Sequence, residues 1–286
     1  MKDMAVIGAG PAGLSAAITA RARNKDVIVV SNRPHESALA KASIIDNYPG
    51  MPKISGTDML EQMYEQALEL GVEFCFERVI TVLSMGEYFS VSAGKEIINA
   101  RSVVLAIGVQ SSKPIAGEAE YLGRGVSYCA TCDGMLYRNA TVCVVGLNSE
   151  AVEEANFLAE IGASVVFLAR TAPEGLAAGI TVKEGTAAEI KGDALGVTEL
   201  VFKSKKTRET ESIACNGVFI LRPAIAPDAL MAGLKLNEGY IAVDEDMQTN
   251  IPGVFAAGDC TGKPLQIAKA VGDGQKACFA AVAYLG

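Results

Sequence analysis

Cys129-Ala-Thr-Cys132-Asp133 sets two thiols two residues apart with a carboxylate directly behind them. At that spacing the sulfurs can close a small disulfide ring, and a helix starting there would lower the thiolate pKa through its N-terminal partial charge. Such a pair exchanges electrons. The competing reading is half of a zinc site, which needs a second ligand pair at similar spacing. The other cysteines of the seven stand singly and the one histidine, His35, is far off in sequence. Redox chemistry is therefore favoured over a metal and over inert core cysteines.

A redox pair needs a scaffold and a source of electrons. Met4-Ala-Val-Ile7 reads as a short apolar strand running into Gly8-Ala-Gly10-Pro11-Ala12-Gly13 and an alanine-rich helix over Leu14 to Arg23, with a second strand at Asp26 to Val30. This is a dinucleotide fingerprint in strand-turn-helix context, its glycines allowing the backbone to approach a pyrophosphate. The usual ribose-binding acid after the second strand is missing, Ser31-Asn32 standing there, which leaves the nucleotide open. Arg101 to Gly108 predicts a buried strand whose tip lies near the nucleotide, and Ile251 to Asp259 another. Asp259 reads equally as a helix cap and as a nucleotide contact, with Gln266-Ile267 opening a final helix.

Ala140 to Val145, a helix over Ala151 to Ile161 and a strand at Ser164 to Leu168 repeat the layout without its glycines. Leu147 and Asn148 put side chains where a pyrophosphate would meet bare backbone, and the last strand ends in Arg170 with no basic cluster beside it. This reads as a nucleotide fold with its nucleotide site removed. Lys113-Pro114 and Arg222-Pro223 suggest crossings between domains. Residues 35–55 read as a turn-rich loop, plain rather than ligand-lining, followed by an amphipathic helix over Met59 to Leu70. Strands are expected at Glu73 to Glu77, Val79 to Leu83, Tyr88 to Ser92 and Glu96 to Asn99, and short strands over 180–220. Lys203, Lys205, Lys206 and Arg208 form a charged hairpin, favoured as a solvated edge over a docking patch.

At 286 residues, half of them hydrophobic, the chain can bury two sizeable cores. A formal charge of -8 argues against a nucleic-acid partner. No apolar run is long enough to span a bilayer, and the chain enters its first strand without a charged leader, so a cytoplasmic setting with no membrane partner is expected.

Together, Gly8 to Gly13, Asp46-Asn47-Tyr-Pro-Gly50, Cys129 to Asp133 and Phe255-Ala-Ala-Gly258-Asp259 stand in the order and separation of the low-molecular-weight thioredoxin reductases, which the chain resembles over essentially its whole length. The resemblance implies an α/β fold of two Rossmann-like, three-layer domains, the second inserted in the first. Residues 1–112 and 224–286 would bind FAD, 113–223 would carry the disulfide, and the protein would be a homodimer. By the same resemblance Gly8, Gly10, Ala12 and Gly13 hold the pyrophosphate, Asn47 approaches the flavin, Asp259 binds the ribityl or phosphate part and Gln266 lies near the isoalloxazine. Pro11, Asn32, Ala106, Gly108, Gly258 and Ile267 complete the FAD set. Cys132 would face the flavin, Cys129 attack the thioredoxin disulfide and Asp133 move protons.

The departures from the family pattern fall mainly on pyridine-nucleotide binding. The second fingerprint is Gly146-Leu-Asn-Ser-Glu-Ala151, the basic run is Leu168-Ala-Arg170, and Leu265 replaces the arginine before Gln266. The Gly-Gly-Gln loop is also absent around Glu36 to Leu39. This resembles the NADPH-independent subgroup, whose clostridial type takes electrons from ferredoxin. The alternatives are a reductase using NADPH or a deazaflavin, and a flavoprotein redox sensor whose disulfide is not catalytic.

Overall fold

Met4 to Ile7 has no polar residue to offer solvent, and in the computed structural model these residues are fully buried or nearly so in β1 (Lys2–Ile7). The structure describes residues 1–32, 37, 39–109, 114–147, 151–222 and 226–286. Among them no helix is long and apolar enough to cross a membrane. The chain divides into two compact units, Met1–Gln110 with Ala224–Gly286, and Ser111–Pro223.

In the first unit the chain passes from β1 through α1 (Pro11–Ala22) to β2 (Val27–Val30), which lies parallel to β1 with Val6 opposite Val29. Pro11 suits the first helical turn, where an amide proton would go unused anyway. Helix α2 (Gly56–Glu69) starts before the expected Met59 because Ser55 caps it, its hydroxyl accepting from the Asp58 amide at 3.0 Å. Then come β3 (Glu73–Cys75), β4 (Val79–Ser84), β5 (Phe89–Ala93) and β6 (Glu96–Leu105). The strands expected separately at Glu96 to Asn99 and from Arg101 are one. The more polar first half of β6 pairs antiparallel with β5, and its apolar second half runs parallel to β1 with Val104 opposite Val6.

The second unit begins with α3 (Glu118–Tyr121), β7 (Val126–Ser127) and α4 (Ala130–Asp133). A parallel core follows from β8 (Thr141–Gly146), α5 (Ala151–Glu160) and β9 (Ser164–Ala169). Where short strands were expected there is a long β10 (Thr181–Gly192), parallel to β9 at its start and antiparallel to β11 (Val197–Ser204) afterwards. With β12 (Thr210–Ala214) and β13 (Gly217–Leu221) the sheet order is β12-β11-β10-β9-β8-β13-β7.

The chain returns to the first unit through α6 (Pro227–Leu230), the β14 (Leu236–Asn237) and β15 (Tyr240–Ile241) ribbon, β16 (Val254–Ala256) and α7 (Ile267–Leu285). Strand β16 lies beside β6 in a sheet of order β3-β2-β1-β6-β5-β4. Small residues let α7 pack tightly on α1, and a Cβ at Gly274 would lie 2.0 Å from the Ala12 carbonyl oxygen.

The second unit also buries an ion pair. The Glu118 carboxylate receives both terminal nitrogens of Arg222, the Ile115 amide at 2.8 Å and the Tyr128 hydroxyl at 2.8 Å. The two side chains are 5% and 3% exposed. Burial pushes the Glu118 pKa up, but the Arg222 hydrogen bonds, the Ile115 amide, the Arg222 charge and Tyr128 outweigh it and hold the carboxyl below its ordinary value. A depressed folded-state pKa contributes stability above the unfolded carboxyl pKa, and that contribution is lost as pH falls through the folded value. Glu118→Gln leaves Arg222 charged and buried, and is expected to cost about 3 to 5 kcal/mol at neutral pH. Urea unfolding of the full chain should show that gap narrowing in acid; a gap independent of pH would refute the assignment.

Candidate active site

Cys129 and Cys132 form a disulfide, with Cα atoms 5.4 Å apart, at the start of α4. Their environments differ. Cys129 is buried and Cys132 exposed. The Cys132 amide donates to Cys129 Sγ at 3.1 Å, and Thr131 Oγ1 lies 3.3 Å from the same sulfur. An amide aimed at a sulfur stabilises negative charge there when the bond opens, so Cys129 is the better leaving thiolate.

Three side chains hold this turn in place. The Ser127 hydroxyl donates to Asp133 Oδ2 at 2.7 Å and accepts from the Cys129 amide at 3.1 Å, which ties the carboxylate to the pair. Glu154, on α5, accepts from the Ala130 amide at 2.8 Å. Tyr137 packs behind, its pKa raised by burial and by the Asp133 charge. The free cysteines Cys143, Cys215, Cys260 and Cys278 are buried, burial pushing Cys260 up to about 11 and Cys215 and Cys278 up to about 12, while Cys75 is half-buried. Among the described residues no group of three or more His, Cys, Asp or Glu could hold a metal ion.

Of the sequence-predicted cofactor residues in the first unit, Gly8 to Gly13, Ala106, Gly108, Gly258 and Asp259 follow the ends of β1, β6 and β16, while Asn32 follows β2. Gly8 has φ +112, and a Cβ there would stand 2.3 Å from the Ala106 carbonyl oxygen; one on Gly13 would stand 1.9 Å from that of Gly8. A Cβ on Gly10, by contrast, would meet nothing within 4 Å, so the turn is open on the side where α1 begins. Pro11 and Ala12 form the first turn of that helix. The Ala106 amide donates to the Ile7 carbonyl at 2.8 Å, and Gly108 has φ +66 beyond the end of β6. Asn47 Nδ2 donates to Gln266 Oε1 at 2.9 Å, joining two candidate residues 219 positions apart, with Ile267 next at the start of α7. The loop around Asn47 therefore contacts the start of α7.

Gly258 and Asp259 open a 3-10 turn, Gly258–Thr261, between β16 and α7. Asp259 Oδ1 is shut off from solvent and has no hydrogen-bond partner among the described residues. Burial raises the Asp259 pKa, with Lys269 lowering it and Asp273 raising it. Lys269 was not anticipated. Its Nζ reaches the Gly258 and Gly262 carbonyls at 2.8 and 2.9 Å, Thr261 Oγ1 at 2.9 Å and Asp273 Oδ2 at 2.9 Å. Its i,i+4 spacing to Asp273 was the available signal. Ser31, beside candidate Asn32, also has a role, its hydroxyl accepting from the Ala9 amide at 3.0 Å. Ser127 and Glu154 left no local signal.

The degenerate turn of the second unit is partly visible. The Leu147 amide donates to the Leu221 carbonyl at 3.0 Å and is thereby taken up within the sheet. Asn148, Glu36, Lys113 and Pro223 lie outside the described residues. Arg170 does not stand alone as expected: it lines a cavity with Lys203, Lys205 and Arg208, cations brought from another hairpin.

The family model for pyridine nucleotide-disulphide oxidoreductases matches residues 2–274. A thioredoxin reductase of Treponema pallidum (strain Nichols) is 35% identical over 297 residues, covering 99% of this chain and 97% of the relative. A crystal structure of a ferredoxin-flavin thioredoxin reductase from Clostridium acetobutylicum is 42% identical with a TM-score of 0.90, covering 99% of this chain and 97% of that one. A thioredoxin reductase from Gloeobacter violaceus is 35% identical with a TM-score of 0.86, at 99% and 94% coverage.

The Lys269 contacts can be tested without any ligand. Lys269→Met strips the Gly258–Thr261 turn of its tie and leaves Asp273, 13% exposed, without its cation. A stability loss of about 2 to 3 kcal/mol is expected from the urea midpoint. A midpoint unchanged within error would mean the turn holds itself.

Proposed function

Because the chain belongs to the pyridine nucleotide-disulphide oxidoreductase family, we propose that it is a flavin-dependent thioredoxin-disulfide reductase with reduced ferredoxin as its electron donor. The observation that carries the proposal is the Cys129–Cys132 disulfide, with Cys132 exposed and an amide aimed at Cys129 Sγ.

The first unit fits FAD on two observations: the open backbone at Gly10 and the partnerless Asp259 Oδ1, which a ligand hydroxyl would satisfy. Gly8, Gly10, Pro11, Ala12 and Gly13 would hold its pyrophosphate at the start of α1. Asp259 would take the ribityl part, Asn47, Gln266 and Ile267 the flavin end, and Asn32, Ala106, Gly108 and Gly258 the rest of the cradle. When bound, the cofactor supplies a store that accepts electrons singly and passes on a pair, which suits a one-electron donor.

Two electrons and two protons convert the disulfide to a dithiol. Cys132, the exposed sulfur, is the one a reductant reaches, and Cys129 leaves as the thiolate that the Cys132 amide stabilises. Cys129 Sγ then attacks one sulfur of the thioredoxin disulfide and frees the other as a thiol. Cys132 Sγ attacks Cys129 Sγ, restores the internal bond and releases the second thiol. Asp133, steadied by Ser127, takes and returns the proton at Cys132 Sγ. Met135 and Leu136, 59% and 81% exposed just beyond the pair, offer an apolar rim suited to a protein substrate rather than a small charged disulfide. Because Cys129 is buried, the pair must turn outward to meet a partner, and the proposal includes that movement. It also includes a homodimer and a cytoplasmic setting.

Ferredoxin is chosen over NADPH on the second fingerprint. Asn148 stands where the Gly-x-Gly-x-x-Ala pattern has its second glycine, which puts a side chain where a pyrophosphate would meet bare backbone.

Cys129→Ser and Cys132→Ser should each abolish thioredoxin reduction and leave FAD bound. The Cys129→Ser protein should show a long-wavelength absorbance band from the Cys132 thiolate against the flavin; the band in Cys132→Ser instead would reverse the two roles. In anaerobic titration, millimolar NADPH and NADH should leave the flavin oxidised on a catalytic timescale. Reduced ferredoxin should bleach it, at a rate that falls as salt rises. Fast bleaching by NADPH with steady turnover would overturn the choice of donor.

A further inference from the structure

Strand β7 is the last in the second unit's sheet and meets β13 through two residue pairs, Val126 with Val218 and Ser127 with Phe219. Two pairs on an edge strand are a weak hold. The redox turn begins just beyond them, with Cys129 capping α4 from an extended backbone, φ -144 and ψ 107. Between the ladder and the turn stands Tyr128. Val126 and Tyr128 pack against the core cluster that includes Leu200 and Ile220, while Ser127 between them turns to Asp133 and the Cys129 amide.

The Tyr128 ring is half-buried, and its hydroxyl donates to Glu118 Oε1 at 2.8 Å. Arg222 holds the Glu118 carboxyl in its charged form, which only accepts, so the phenol must be the donor. Arg222 directly follows β13, and its Nη2 reaches Glu118 Oε2 at 2.6 Å. Tyr128 is thus fastened to the end of the strand that its own backbone, among the described residues, has ceased to pair with. The link runs through two side chains that are 5% and 3% exposed. A satisfied buried network of this kind has one arrangement, which gives the phenol oxygen a fixed place. The next residue is Cys129, whose sulfur accepts from the Cys132 amide at 3.1 Å. That contact depends on angle as well as distance, so it depends on where the Cys129 backbone is held.

We propose that Tyr128 is a positioning residue of the redox pair: anchored on the buried Glu118–Arg222 pair, it sets the Cys129 backbone so that the Cys132 amide stays aimed at Cys129 Sγ. This builds on the reductase reading above, in which Cys129 is the attacking thiolate. Without the phenol anchor the turn shifts, the amide no longer points at the sulfur, and Cys129 holds its thiolate only at higher pH. The same loss favours disulfide over dithiol, because the thiolate belongs to the reduced form alone.

The test uses the flavin-loaded full chain carrying Cys132→Ser, which keeps the amide at position 132 and leaves Cys129 as the one thiol of the pair. Alkylation of Cys129 by iodoacetamide, followed by peptide mass spectrometry across pH, locates the inflection at which its thiolate forms. Adding Tyr128→Phe should raise that inflection by about one unit, roughly tenfold in the ionisation constant and the size of one weakened hydrogen bond to a charged group. Phenylalanine keeps the ring in the core, and Glu118 keeps Arg222 and the Ile115 amide, so the unit still folds. Asp133, Glu154 and Tyr137, the titratable groups around the turn, are the same in both proteins. Tyr121→Phe is the control for a merely structural loss: Tyr121 belongs to the same buried cluster but sits on α3, and its removal should leave the inflection in place. In the chain with both cysteines, Tyr128→Phe should shift the equilibrium with a glutathione buffer toward the Cys129–Cys132 disulfide. An inflection coinciding with that of Cys132→Ser alone would overturn the proposal, as would an equal rise in the Tyr121 control or a shift of the glutathione equilibrium toward the dithiol. Neither measurement involves thioredoxin or an electron donor. A raised inflection in a protein that does not reduce thioredoxin would therefore support the positioning role and sink the reductase reading.

Discussion

The first unit depends on backbone meeting backbone at one corner. Gly8 must lie against Ala106, Gly13 against Gly8, and Gly274 against Ala12, each at a distance that leaves no room for a Cβ. These contacts bring α1, β6 and α7 together in a single place. A side chain at any of them would force the helix start away from the strand tips. The open face at Gly10 exists because its neighbours are closed so tightly.

The second unit repeats the strand-helix-strand layout in β8, α5 and β9. The Leu147 amide, bonded to the Leu221 carbonyl, ties the end of β8 to β13. The unit's disulfide sits at the short helix after β7, where Ser127 and Thr131 contact Cys129 and Glu154 accepts from the Ala130 amide. The two sulfurs stand in unlike surroundings, Cys132 exposed and Cys129 buried with the Cys132 amide aimed at its sulfur.

Features governed by neighbours along the chain are legible in the sequence. The run Met4 to Ile7 followed by glycines dictates strand, turn and helix, and two cysteines three positions apart can close only a small ring. Fold class and the closed cysteine pair can be read in this way. The contacts that complete the sites cannot. Asn47 and Gln266 meet across 219 positions and Glu118 and Arg222 across 104, and neither side chain carries a mark of its partner. Arg170 looks solitary in sequence because its companions come from β11 and the turn beyond it. Only the antiparallel fold-back of β10 onto β11 supplies them. Strand ends are misjudged where burial changes along a strand, as in β6, whose polar and apolar halves serve different neighbours.

The first unit is also divided in sequence, and this has a consequence for its birth on the ribosome. Residues of β1 to β6 emerge first, but β16, which covers the far side of β6, and α7, which covers α1, are among the last to be made. The whole of Ser111–Pro223 is translated between them. For that interval half of β6 presents an unpaired parallel edge and α1 an alanine face with nothing on it. The nascent chain thus carries a complete, uninterrupted insert before its host is complete, and the open edge during that window belongs to the host.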